Sequence, residues 1–144
     1  MYIRRAKGDD LGKVVNVAIR RFRDQGQAPP ADIVLKLSAL FNDTDSRIFI
    51  ASEGSDTFGY LVASEMGGSY RIEDIYVFPE ARNEGTSTLL MSALQDLKKP
   101  AYVELRSEDL DMKSFFEHFG FKHDAQMSGR IFLHYAPTFW NKVK

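Results

Sequence analysis

Between Ile72 and Leu90 the chain reads IEDIYVFPEARNEGTSTLL, and here the residue types able to do chemistry are most concentrated. Two adjacent carboxylates, Glu73 and Asp74, sit in a run with Ile72, Ile75, Tyr76, Val77 and Phe78, side chains that fit a pleated sheet. Pro79 ends the run, because it cannot donate to a ladder. Further on, Leu90, Leu94 and Leu97, with Leu89 and Ala93 beside them, recur three and four residues apart and predict one face of a helix. Arg82, Asn83, Glu84, Gly85, Thr86 and Ser87 fall between. Turn-prone Asn83 and permissive Gly85 stand where the first backbone N–H groups of the helix lack intrahelical partners. Strand, polar loop and helix together predict a phosphate-binding loop, since the donors and the partial positive charge of a helix start point the same way.

The other reactive residue types exclude more than they offer. There is no cysteine, hence no disulfide, no thiolate metal site and no cysteinyl acyl-enzyme. His118, His123 and His134 form no metal-ligand spacing, and no metal is expected. Core or surface structure is their first reading, with His134 or Tyr135 lining a pocket as the second. A net charge of −1 gives no global reason to expect nucleic acid or an anionic membrane as a partner. With 144 residues and an ordinary apolar fraction, positions 1–144 are expected to form a single domain with a proper core. The start, Tyr2-Ile3-Arg4-Arg5, precedes no long apolar stretch, so a soluble, cytoplasmic protein is the expectation.

The elements that must position the loop can be read in order. Tyr2 to Ala6 predicts a short edge strand, and Asp9 or Asp10 an N-cap. Leu11, Val14, Val15, Ala18 and Phe22 give the following helix a buried stripe. Its opposite face carries Lys13, Asn16, Arg20, Arg21 and in part Arg23, a basic face that reads as a solvated surface, with a partner surface as the alternative. Little beyond Arg4 and Arg5 extends that face toward nucleic acid. Ile33, Val34, Leu37, Leu40 and Phe41 predict a second helix ending near Asn42. Arg47 to Ala51 and Phe58 to Ala63 predict strands joined by the loop Glu53 to Thr57, and Gly67-Gly68-Ser69 a further turn. After the loop helix, Ala101 to Leu105 must run parallel to the strand before it, because a helical crossover joins them; a split between those two strands becomes possible. Leu110, Met112, Phe115, Phe116 and Phe119 predict a short helix closed by Gly120, and Phe121 to Gln126 with Arg130 to Tyr135 a closing hairpin.

These residues resemble the GNAT superfamily of acyl-CoA-dependent N-acyltransferases. Val77, Pro79, Arg82 and Gly85 match its V-x-P-x-x-R-x-x-G-x-G/A signature, and Phe115-Phe116-Glu117-His118-Phe119-Gly120-Phe121 resembles its F-Y-x-x-x-G-F motif. The order of elements matches over essentially the whole chain. The resemblance implies an α/β (α+β) fold with a mixed, mostly antiparallel sheet of about seven strands, splayed in the middle and flanked by about four helices. It implies an enzyme that moves an acetyl group from acetyl-CoA to a primary amine by direct attack, with a cationic small molecule or peptide amine as acceptor.

Site roles come from the resemblance as well. The diphosphate of acetyl-CoA is expected on the backbone amides of Arg82, Asn83, Glu84, Gly85, Thr86 and Ser87. The pantetheine arm is expected to pair like a strand with Ile75 and Val77, with Asp109, Phe115 and Phe116 beside it. A strand bulge is expected to aim one N–H at the thioester oxygen. Glu73, with Asp74, is the expected base, and Glu108, Asp109 and Asp111 complete an acidic rim for a cationic amine. The alternative for Glu73 and Asp74 is that strand carboxylates face water. The run Ile72 to Val77 is also similar to that of diamine and polyamine acetyltransferases.

The sequence departs from the pattern at four positions. Ser87 replaces a glycine, Glu84 stands where a basic residue is common, Asp109 replaces an asparagine, and Phe116 replaces the tyrosine that protonates the leaving thiolate. A phenyl ring has no proton to give. Either Phe116 completes the apolar stripe with Met112, Phe115 and Phe119 while water or another side chain protonates the thiolate, or the chain is a catalytically degenerate member that binds acyl-CoA or a protein partner without transfer. Monomer and homodimer both remain open, and Phe139-Trp140 could pack on the chain itself or on a second subunit.

Overall fold

The computed structural model of the chain describes residues 1–82 and 85–137. Its elements run β1 (Tyr2–Arg5), a 3-10 turn (Gly8–Asp10), α1 (Leu11–Asp24), α2 (Ile33–Asn42), β2 (Ser46–Glu53), β3 (Asp56–Met66), β4 (Ser69–Val77), α3 (Pro79–Arg82), α4 (Thr86–Gln95), β5 (Ala101–Arg106), α5 (Leu110–His118), β6 (Lys122–Met127) and β7 (Arg130–Tyr135). The strands form one sheet in the order β1-β2-β3-β4-β5-β7-β6. Each neighbouring pair is antiparallel except β4 and β5, which the α4 crossover forces parallel.

Apolar alternation along the strands feeds both faces. On one face, Ala63, Ile72, Val77, Val103 and Leu133 pack with Leu90, Met91 and Leu94 of α4 and Phe116 of α5. On the other, Ile50, Tyr60, Val62 and Tyr76 pack with Val14, Val17 and Ala18 of α1 and Leu37 of α2. Two features of β4 open the middle of the sheet. It pairs with β5 only at Tyr70↔Ala101 and Arg71↔Tyr102, so the sheet forks beyond Arg71. It also carries a bulge: Ala63 faces Ile72 and Val62 faces Asp74, leaving Glu73 without an opposite residue on β3. A bulge shifts the alternation by one, which turns Asp74 toward α1 while Ile72 and Ile75 stay on the α4 side.

Several local expectations need correction. The segment after Phe78 is not all loop, because Pro79 opens the short helix α3, where its missing N–H costs nothing. Neither Asp9 nor Asp10 caps α1 by its side chain; the buried Asp10 carboxylate instead takes both Nη groups of Arg4, at 2.7 and 2.8 Å, and the Lys7 N–H at 2.8 Å. Leu89, Leu97 and Leu110 lie exposed rather than on buried stripes: Leu89 is on the face of α4 away from Leu90, Met91 and Leu94, Leu97 falls beyond the end of α4 at Gln95, and Leu110 is the first residue of α5. The β2–β3 hairpin turns on Gly54 and Ser55 alone, because both strands extend further than predicted. Phe139-Trp140, Asn83 and Glu84 lie outside the described residues.

Candidate active site

Where β4 and β5 part, a cleft of about 550 Å³ opens between them. One wall is β4 from Ile72 to Val77, continued by Arg82 and Ser87; the other is Val103, Glu104 and Leu105 with Asp109, Asp111, Met112, Phe115 and Phe116. The β4 edge facing β5 beyond Arg71 has no strand partner, so its polar backbone groups are available to an extended ligand. Of the residues expected at the site, Glu73, Asp74, Ile75, Val77, Arg82, Ser87, Asp109, Phe115 and Phe116 line this one cleft, while Glu108 does not.

Gly85 and Thr86 stand at its loop end. Gly85 precedes α4 with φ +74°, a left-handed conformation that side chains resist, and a β-carbon built on it would point into open space. Thr86 is fully buried, and its hydroxyl donates to the Ala81 carbonyl at 2.9 Å. That bond fastens α4 to α3 and commits the Thr86 hydroxyl to the chain itself. Arg82 donates from Nε to the Val77 carbonyl at 3.0 Å, tying the loop to the end of β4.

The carboxylates differ in their surroundings. Asp74 is held by Arg21 Nη1 at 2.6 and 2.7 Å and by the Tyr60 hydroxyl at 2.8 Å. Burial and then the Asp74 charge push the Tyr60 phenol far above its ordinary range, so it stays a donor. Burial opposes the charge on Arg21, but Asp74 and Tyr60 more than offset it. Glu73 is freer, with the Arg71 guanidinium at 3.7 Å, longer than a hydrogen bond. Asp109 caps α5, accepting from the Met112 N–H at 3.2 Å. Phe116 is 1% exposed and carries no polar atom.

Arg21 is a correction to the sequence reading, because it enters the cleft wall; Arg20 stays partly exposed, pairing with Glu80 of α3 and lying 3.8 Å over the Phe78 ring. Gln25 and Glu104 also line the cleft unforeseen. For Glu104 a signal existed, a carboxylate alternating with Val103 and Leu105 on a strand next to the fork.

This cleft fits the pantetheine arm of acetyl-CoA: it has a free strand edge on one side, apolar Met112, Phe115 and Phe116 on the other, and a helix start at one end. The family model described as acetyltransferase (GNAT) domain matches residues 44–123, more than half of the chain, and the chain belongs to that family. Its reaction is acetyl transfer from acetyl-CoA onto an amine, with acetyl-CoA as cosubstrate. No curated protein matches the sequence.

Solved structures share the fold. The PaiA N-acetyltransferase from Thermoplasma acidophilum, in complex with coenzyme A, superposes with TM-score 0.77 at 15% identity, covering 94% of this chain and 98% of that one. Aminoglycoside 6'-acetyltransferase type Ii gives 0.77 at 14%, covering 94% and 97%. The ribosomal-protein-S18-alanine N-acetyltransferase from Escherichia coli gives 0.75 at 13%, covering 93% and 92%. Among the described residues no helix is long and apolar enough to cross a membrane, and no group of His, Cys, Asp or Glu is placed to hold a metal ion.

Proposed function

We propose that the chain acetylates a cationic primary amine that enters from the α1 side of the cleft while acetyl-CoA lies along β4. Acetyl-CoA supplies an activated thioester. The first N–H groups of α4 and the amides from Arg82 to Ser87 hold its diphosphate, and the free edges of Ile75 and Val77 hold its arm. Met112, Phe115 and Phe116 exclude water from the opposite side. The bulge at Glu73 frees a backbone N–H from the ladder for the growing charge on the carbonyl oxygen.

Glu73 takes the proton. An alkylamine titrates near pH ~10, so nearly all of it arrives protonated at neutral pH and must be relieved of that proton before attack. Asp74, locked by Arg21 and Tyr60, serves by fixing the bulge rather than by exchanging protons. Water protonates the departing thiolate in place of a tyrosine. The observation that carries this reading is the fork itself: a bulged strand, an unpaired edge and a helix start meet in one cleft.

Release of CoA thiol from acetyl-CoA across a panel of polyamines, amino acids, aminoglycosides and peptides tests it, and Glu73→Gln should lower turnover mainly at the lower pH values. A variant with the wild-type rate and pH profile removes Glu73 from the chemistry. One observation, the phenyl ring of Phe116, favours a second reading in which acyl-CoA is bound without transfer. Thiol release above the no-amine control rejects it.

A further inference from the structure

We infer that Arg21 is a positioning residue for acyl transfer: from α1 it holds the bulge of β4 in place relative to the start of the phosphate loop, so that one acetyl-CoA meets both; the inference rests on the acyl-transfer reading. The two backbone sites assigned to acetyl-CoA lie at opposite ends of one short segment. At one end the bulge at Glu73 frees an N–H for the carbonyl oxygen, and at the other Arg82 begins the loop that takes the diphosphate. A displaced bulge leaves the diphosphate seat intact but moves the donor away from the oxygen on which charge grows.

Arg21 touches the bulge through Asp74. Its Nη1 donates to both carboxylate oxygens, at 2.6 and 2.7 Å, and to the Tyr60 hydroxyl at 3.3 Å, while that hydroxyl donates to Asp74 at 2.8 Å. Asp74 follows the unpaired Glu73 directly, so holding its side chain limits how the bulged backbone can turn.

The same guanidinium reaches toward the loop. It lies 4.9 Å over the Tyr76 ring, and the Arg82 guanidinium lies 5.5 Å over that ring while its Nε donates to the Val77 carbonyl at 3.0 Å. Asp74, Arg21, Tyr76 and Arg82 thus form an unbroken run of contacts from bulge to loop, and all four line the cleft. Arginine suits the middle of that run because a planar guanidinium can face a carboxylate and a ring together; a lysine ammonium keeps only the charge.

CoA and acetyl-CoA separate the two sites, because CoA has the diphosphate but no carbonyl oxygen for the bulge. In wild type, the amide resonances of Glu73 and Asp74 should shift further in NMR titration with acetyl-CoA than with CoA. Arg21→Gln should abolish that difference and lower kcat for thiol release, with the most active amine of the panel, by about tenfold or more, as expected when an oxyanion donor is misplaced. Its calorimetric Kd for CoA should stay at the wild-type value. Arg21→Lys, which returns a charge to Asp74, should recover part of the kcat. Tyr60→Phe removes one donor and keeps the ring, and should lower kcat by a smaller factor. Wild-type kcat in Arg21→Gln overturns the inference, as do wild-type amides that answer alike to CoA and acetyl-CoA, or a CoA affinity and Tm that fall with kcat and do not recover in Arg21→Lys. If Arg21→Gln does not fold, wild-type kcat in Tyr60→Phe overturns it. The expected amide shifts without thiol release from any amine keep Arg21 in its role and remove the acyl-transfer reading instead.

Discussion

Phe116 packs edge-on to Phe115, with ring centroids 5.2 Å apart, and tilts against Phe121 at the same distance. With its ring buried in the cluster shared by α4 and α5, a hydroxyl added at its tip enters a packed apolar site without a ready partner. Phe116→Tyr is therefore expected to cost about 1–3 kcal/mol, seen as a lower Tm, and to leave thiol release no faster. A faster enzyme of unchanged Tm would mean that the ring tip reaches the thiolate and that protonation limits the rate. The burial of Phe116 with Phe115, Phe119 and Met112 was legible from their spacing alone. Leu110, which continues the same spacing, is exposed as the first residue of α5. Periodicity identifies a face but does not say how far the partner surface extends. The asymmetry between Glu73 and Asp74 was not legible either, since the partners of Asp74 lie 53 and 14 residues away.

At the scale of elements, the cleft depends on how β3 presents β4. Gly59 lies opposite Val77, and a β-carbon there would stand 2.7 Å from the Tyr76 carbonyl oxygen and 2.9 Å from Val77 Cγ2. Gly59→Ala must push the two strands apart beside the edge assigned to the pantetheine arm. We expect a loss of about 1–3 kcal/mol by thermal melting, together with weaker acetyl-CoA binding by calorimetry. An alanine variant with wild-type Tm and affinity would show that β3 yields without moving Val77. A glycine inside a strand signals close backbone approach, so this feature was readable in principle from the stretch Thr57 to Leu61. The bulge at Glu73 was not, because an inserted residue leaves no mark in a run of strand-forming side chains; only the family likeness raised it. The misreading of α1 has a similar origin. Its apolar stripe correctly gave the buried Val14, Val15 and Ala18, but a charged face looks the same in sequence whether it meets water or Glu80 and Asp74. Through those two arginines α1 grips both ends of the segment from the bulge to α3.

Over the whole molecule, the order of strands and helices was legible because each element carries its own pattern and the crossover fixes β5 as parallel. The fastening of the chain's first turn was not. Arg4 on edge strand β1 and Asp10 before α1 form a bidentate pair whose carboxylate is only 5% exposed, so the sheet edge and the first helix are joined through one acid. The hydrogen bonds from Arg4, with help from the Lys7 N–H and against the cost of burial, hold the Asp10 carboxyl well below the usual carboxylate range. A depressed folded-state pKa means that the stabilisation is fully present above the unfolded value of about 3.9 and is lost as pH falls toward the folded one. Glu65 and Glu80 are shifted the same way by Lys99 and Arg20, but both are solvated and add less. Asp10→Asn keeps the shape and an acceptor for the Lys7 N–H but removes the charge facing Arg4. At neutral pH the variant should be about 1–2 kcal/mol less stable in urea, the lower part of the range for a charged hydrogen bond because Arg4 can turn to water. That deficit should shrink steadily below about pH 4, where wild type begins to protonate Asp10 on unfolding and the variant has nothing to titrate. A deficit of the same size at pH 7 and pH 2.5 would show that the loss is steric. In that case the acid sensitivity of the fold lies with other carboxylates.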